Sequence, residues 1–457
     1  MESIALFSNK KDHHHAAFDL IEQARKCLDF KPDLVLFYAT LKYNGNYQSM
    51  LDIIGEEYTD IPQIGASVDG MIFPEDIRLD GAALLVLCKD PEAKISVKGI
   101  KEKGSINSAE KLAQKIKCEK GVVFLHFPLV HVPNPIKSVQ FCVKGFYYSN
   151  RCKTTNPKKQ KEYAGRFSDY CDREHIFYLP PDIIEIFAKN TDYKIPIIGM
   201  NVLHTQARFK SPNIFCNFKD IEDGIAALII EKENLDAAYD DIFPDKGRTL
   251  EETVNIVRNE FTVVKEFKAT FEKNILIMLD GLPPMEAVRN LINVKKEDKD
   301  DLMNRMNKGN FQVQMPYMLV FFNKKYNGMV HTGFGSYYPF DLYPFFTDVS
   351  NCDEQVFLAY EFINGKFGKF ISSLRQTKNQ EKFKLFSLDV ATLQAFGNKV
   401  FDYSDEIKKI AERNYFGIIT VAPSIYLPKY LQSRDYITKA GPDIFYTSAG
   451  TNVCLEI

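Results

Sequence analysis

Two segments of the chain place polar side chains just behind a glycine that follows an Ile-Pro pair. IPQIGASVDG carries Gly65, Ser67, Asp69 and Gly70, and IPIIGMNVLH, far downstream, carries Gly199, Asn201 and His204. A hydroxyl, a carboxylate, an amide and an imidazole can hydrogen-bond a small polar ligand, and glycines let the backbone approach it closely. Ser67, His204 and Asp69 are also the residue types of a nucleophile, its general base and the group that orients the base. Spacing alone does not bring those three together, and GASVDG lacks the G-x-S-x-G frame of a nucleophile elbow. Turn chemistry at strand ends accounts for the same residues without a ligand. Ligand binding is the functional expectation at these seven positions; a protein-interaction adaptor is the alternative, and a serine-dependent hydrolase the third reading.

Other residues offer less. His13, His14 and His15 are adjacent, and adjacent residues on a helix point in different directions, so a solvated N-terminal turn is expected there. His126, His131, His175 and His331 are isolated, and no H-E-x-x-H occurs. Nine cysteines lack the C-x-x-C spacing of structural zinc, which fits free thiols in a reducing compartment. HTGFGSYYPF, residues 331–340, has G-x-G without the third glycine and reads as a strand with a bulge. No catalytic residue, metal or cofactor is expected.

The elements that would position the seven residues come in two matched sets. DLVLFYAT (33–40) and GVVFLHFPL (121–129) are buried-strand candidates ahead of each Ile-Pro-x-Ile-Gly, and DIRLDGAALLVL (76–87) and DIEDGIAALII (220–230) follow it. The fold expectation is α/β, with an internally duplicated N-terminal half (repeats about 30–90 and 118–232) of mixed or parallel sheets. Each proline would open a strand, and Gly65 and Gly199 would turn the chain sharply at its end, both glycine corners facing a common hollow. Helices are expected from Ala16 to Leu28 and after Ser108, read as a cap in SAEKLAQKIK. A boundary near residue 245 would separate 1–245 from 246–457, a C-terminal α/β half with a mixed sheet; its last strand should tie the C-terminus into a sheet.

A length of 457 residues, 45% hydrophobic and 26% charged, suits a globular chain of two or three domains, and a net charge of −2 supplies no global attraction to nucleic acid or acidic lipid. MESIALFSNKKDHHH has too short an apolar run for a signal peptide, and no run of about 18 apolar residues follows, so a soluble, cytoplasmic protein without a membrane partner is expected. KGFYYSNRCKTTNPKKQKEYAGRF (144–167) interleaves seven Lys/Arg with aromatic rings. Rings and lysines could hold nucleic acid, but a solvated insertion loop is the commoner explanation. Tyr147, Tyr148, Lys158 and Lys159 are the candidate contacts for a protein partner.

VVKEFKATFEKNILIMLDGLPPMEAVRNLI, taken with both Ile-Pro-x-Ile-Gly segments, resembles the FIST domain family, across roughly residues 30–457. The carriers are Ile61–Gly70, Ile195–Asn201 and Leu279–Pro284, the last standing where the family has an "elDGxPA" opening of its C-terminal part. The chain departs from the family at KLFSLDVATLQAFGNK (384–399), in place of an "fsCxgRG" segment, and at FGIITVAPSIYLP (416–428), which lacks the glutamate of a Gly-Glu-Ile element. The resemblance implies a sensory, signal-transduction protein that binds a small molecule such as an amino acid, without a catalytic step. A relative in animals joins an F-box to a FIST region as a ubiquitin-ligase substrate receptor, which is the form the adaptor alternative takes.

Overall fold

Leu34–Thr40 is buried along its whole length, as a strand covered on both faces must be. In the computed structural model the chain is described over residues 1–73, 76–78, 81–131, 135–202, 204, 211–233, 236–241, 251, 255, 258–259, 262–284, 286–287, 290, 317–323, 328–333, 341–344, 355–360, 384–389, 415–420, 424–428, 444–447 and 451–456. It begins with β1 (Glu2–Ser8), α1 (His13–Cys27), β2 (Leu34–Thr40), α2 (Tyr47–Glu57), β3 (Gln63–Val68), β4 (Met71–Phe73), β5 (Asp76–Arg78) and β6 (Ala83–Lys89). A second set follows: β7 (Lys94–Ile100), α3 (Ser105–Ala113), β8 (Val122–Pro128), α4 (Pro135–Arg151), α5 (Pro157–Arg173), α6 (Pro180–Asn190), β9 (Ile197–Val202), β10 (Ile214–Cys216), β11 (Lys219–Asp220) and β12 (Ile225–Glu231). Then come β13 (Asp236–Asp241), β14 (Thr262–Glu272), β15 (Ile275–Leu279), β16 (Tyr317–Asn323), β17 (Gly328–Gly333), β18 (Tyr343–Pro344) and β19 (Gln355–Tyr360). The last are β20 (Lys384–Asp389), β21 (Tyr415–Thr420), β22 (Ser424–Leu427), β23 (Ile444–Thr447) and β24 (Thr451–Glu456). The molecule is α/β with mixed sheets.

The expected duplication is real, and a third copy accompanies it. The three sheets run β1-β6-β2-β3-β10-β11, β7-β12-β8-β9-β22-β23 and β13-β24-β20-β21-β4-β5. Each has one parallel pair at its centre, in one register: Phe37 opposite Gly65, Leu125 opposite Gly199, and Phe386 opposite Gly417. Every sheet is finished by a hairpin from another copy. The hairpin after β3 completes the third sheet, that after β9 the first, and that after β21 the second. We call each place where a borrowed hairpin meets β3, β9 or β21 a seam. The equivalent strands β3, β9 and β21 converge on one core, to which they contribute Ala66, Val68, Met200, Val202, Phe416 and Ile418. Burial of apolar area in that core helps to hold the copies together, beside the strand pairing at the seams.

Strands β14 to β19 form a separate antiparallel sheet, order β17-β16-β19-β14-β15-β18, inserted between β13 and β20 of the third copy. Sheet pairing therefore crosses residue 245 in both directions: β13 lies beside β24, and β4 beside β21. The turn in LDGLPP is a two-residue hairpin with Asp280 at φ 50° and Gly281 at φ 80°, the left-handed pair that Asp-Gly favours. The 331–340 segment is strand as far as Gly333, and the rest lies outside the described residues.

Several local expectations change. Gly65 and Gly199 lie inside strands, not at turns. A Cβ at Gly65 would fall 1.7 Å from the Phe37 carbonyl oxygen, so close backbone approach is what requires glycine there. Pro62 and Pro196 stand just ahead of their strands, their carbonyls accepting from the N–H groups of Val35 and Val123 at 2.9 and 3.1 Å. α1 starts at His13 with Asp12 as its cap, so the three histidines form its first turn. Ser108 is no cap: α3 starts three residues earlier, and the Ser108 hydroxyl donates to the Gly104 carbonyl at 2.9 Å. The 144–167 stretch is the end of α4 and most of α5 rather than a loop, with Asn156 capping α5 and Pro157 opening it.

Candidate functional site

Strand β3 alternates strictly. Ile64, Ala66 and Val68 enter the central core, so Gln63, Gly65 and Ser67 face the other way, towards the layer of α1 and α2. At the end of that outward row the first seam brings three of the predicted residues together. Ser67 Oγ lies 2.8 Å from His204 Nε2, and His204 Nδ1 lies 3.7 Å from Asp69 Oδ1. Ser67 is 0% exposed, His204 2% and Asp69 7%.

The borrowed hairpin completes the arrangement. The Asn213 N–H donates to Ser67 Oγ at 2.7 Å, and the Ser67 N–H donates to the Asn213 carbonyl at 2.8 Å. The Ser67 hydroxyl has one proton to donate, with His204 Nε2 at 2.8 Å and the Asn213 carbonyl at 3.4 Å among the acceptors in reach. The shorter contact is to Nε2, and the other ring nitrogen, Nδ1, lies on the side of Asp69. Tyr47 lies behind the serine, its hydroxyl donating to the Thr40 carbonyl at 3.2 Å, and burial pushes its phenol well above the ordinary range. Asn213 Nδ2 in turn donates to Asp220 Oδ2 at 2.7 Å, and burial raises that carboxyl.

The other predicted residues do not join this cluster. Asn201 is the counterpart of Ser67 in the second copy and lies on the second seam, where its Nδ2 donates to Ser424 Oγ at 3.1 Å. Gly199 packs beside it, where a Cβ would come within 2.8 Å of Asn201 Oδ1 and 3.0 Å of Ile184 on α6. Gly70 belongs to the third seam, its carbonyl accepting from the Ile419 N–H at 3.0 Å. The two glycine corners thus face separate helix layers, with the shared core between them. Sequence reasoning missed Asn213, Tyr47 and Ser424. Only Ser424 left a trace, inside the 416–428 segment that departs from the family pattern.

Tyr147 is 47% exposed near the end of α4, and its ring meets that of Tyr148 edge-on at 5.1 Å. Lys158 and Lys159 follow the Asn156 cap in the exposed first turn of α5. No helix among the described residues is long and apolar enough to cross a membrane, and no cluster of three potential metal ligands occurs among them.

A repeated α/β unit whose hairpins are exchanged, with polar side chains gathered at the strand ends of one seam, defines a class of duplicated strand-exchanged modules. Residues 33–281 match the FIST N domain, and residues 251–364 match the AF0772-like protein C-terminal domain, a span that contains the whole inserted sheet. The chain belongs to the FIST family, whose role is that of a sensory domain in signal transduction. It is 24% identical over 234 residues to an uncharacterized protein of Archaeoglobus fulgidus, covering 51% of this chain and 62% of the relative.

Proposed function

We propose that the protein is a non-catalytic sensor that binds a small polar ligand, an amino acid or similar zwitterion, at the first seam. The observation that carries this is the Ser67–His204 contact with Asp69 beside it, a buried polar group assembled from two copies. A ligand that replaced part of this hydrogen bonding would change how the first two copies are joined, which is what a sensor must do. Asp69 supplies a carboxylate for an ammonium group, and Ser67 and His204 supply partners for a carboxylate. Gly65, Gly70, Gly199 and Asn201 support the seams in this proposal rather than touching the ligand. The test is a thermal-shift panel of amino acids and small carboxylates. A binder at 100 times its Kd raises stability by about 2.7 kcal/mol, and Asp69→Asn should remove the gain. No gain with any member of the panel would end the reading.

The same contact favours a second reading, a serine hydrolase with Ser67 as nucleophile, His204 as base and Asp69 as its orienter. Against it, one of the two Ser67 Oγ lone pairs already accepts from the Asn213 N–H, and the serine sits buried within a strand rather than on an exposed elbow. Labelling by a fluorophosphonate, lost in Ser67→Ala, would establish catalysis and exclude the sensor as stated. An adaptor role has its own support in the exposed Val139, Val143, Phe146 and Tyr147 of α4 and in the exposed Lys158 and Lys159 that open α5.

A further inference from the structure

The second copy differs from the first by the helical pair α4 and α5, placed between β8 and α6 where the first copy has α2 alone. The pair stands over the carboxyl ends of β7 and β8, the side of a sheet where α/β proteins hold their ligands. Between it and the strand ends is an open cleft of about 850 Å³. None of its lining residues belongs to the Ser67 cluster.

The cleft has a polar mouth and an apolar floor. Phe141, Tyr170 and Ile176 are 1%, 7% and 5% exposed and form the floor. Four permanent cations, Lys101, Lys103, Lys137 and Arg173, face three carboxylates, Glu102, Glu174 and Asp223. The carboxylates are engaged: Asp223 meets Lys101 at 3.3 Å and also His131, Glu174 is shared by Lys137 and Arg173, and Glu102 pairs with Lys111 at 2.9 Å. Lys101 also pairs with Glu222, whereas Lys103 and the Arg173 fork stand at the mouth of the cleft. Arg173 is 69% exposed, and its guanidinium lies 5.7 Å from the centre of the Tyr170 ring, which holds it at the mouth above the floor. α3 starts at the same place on Gly104, which has no side chain to cap the first turn. A planar cation fork above buried rings matches a carboxylate joined to an apolar body.

We infer that this cleft is a second binding site, for a small organic monocarboxylate with an aromatic or aliphatic tail, seated head to Arg173 and tail to Phe141 and Tyr170. It is independent of the sensor reading, since it uses other residues. Isothermal titration of the full chain with acetate, hexanoate and 3-phenylpropionate, each beside its neutral amide, tests it. Saturable binding is expected for hexanoate or 3-phenylpropionate, with acetate weaker and the amides silent. Arg173→Gln, a change at an exposed side chain, should weaken binding roughly tenfold or more at an unchanged melting temperature. Ser67→Ala should leave it unchanged. The proposal fails if no acid binds better than its amide, if Arg173→Gln binds as the parent does, or if Ser67→Ala abolishes binding.

Discussion

Tyr38 and His126 occupy the same register position in two copies, opposite Ala66 and Met200, and each is 1% exposed. Their side chains meet across the central core at 2.9 Å between Tyr38 Oη and His126 Nε2. Burial pushes the His126 imidazole down to about 3, so the ring is neutral in the folded chain. An unfolded histidine titrates near 6.5, so the unfolded chain takes up the proton first. The stability that depends on a neutral His126 is complete above that value and is lost as pH falls towards about 3. Each pH unit in that window costs about 1.4 kcal/mol from this group alone. Urea unfolding between about pH 6.5 and about pH 5 should therefore show a steeper loss for the parent than for His126→Gln, which keeps an acceptor for Tyr38. Parallel curves would refute the assignment. Ser67, Asp69 and His204 stood out in the sequence because polar residues behind a glycine in an apolar run are conspicuous. Tyr38 and His126 did not, because an amphipathic ring inside an apolar strand looks like ordinary core, and only the register between copies shows that they meet.

Strands were more legible than the spaces around them. Buried runs such as Leu34–Thr40 and Val122–Pro128 announce themselves by composition, whereas α5 combines a polar stretch of lysines with an Asn-Pro start and reads as a loop until Phe167, Tyr170 and Cys171 are seen to share one buried face. Glycine meanings were also hidden, since a turn and a close strand approach use the same residue. Two substitutions separate these meanings. Gly65→Ala drives a Cβ into the backbone of β2, which cannot move aside without parting the sheet, and should destabilise by about 3 kcal/mol or more. Gly165→Ala, within α5, meets nothing closer than the Glu272 side chain at 3.5 Å and should stabilise by about 0.5–1 kcal/mol through helix propensity. Thermal and denaturant unfolding of both variants checks this; a Gly65→Ala protein as stable as the parent would remove the close approach as the reason for glycine.

For the whole molecule, two copies were visible as repeats of Ile-Pro-x-Ile-Gly, while the third was concealed. Its first strand, β13, is parted from β20 by the inserted sheet, and its equivalent of the glycine segment reads NYFGIIT, without the Ile-Pro pair. The C-terminal strand shows how closely the third copy is built into the rest. β24 pairs with β13 on one side and β20 on the other, so ending the chain at Gly450 strips both of a ladder partner. We expect a loss of about 4 kcal/mol or more, read as a lowered melting temperature; an unchanged melting temperature would show that the third sheet does not need it.

The hairpin exchange also bears on how the seams came to differ. A ring of three identical subunits must carry one set of side chains at every joint. Tethering the units in a single polypeptide lifts that constraint, and here the three joints have parted company: serine with histidine at one, asparagine with serine at the next, and at the last an isoleucine, Ile419, bonded through its main-chain N–H to Gly70. Specialisation at one joint then leaves the other two free to serve only as mortar.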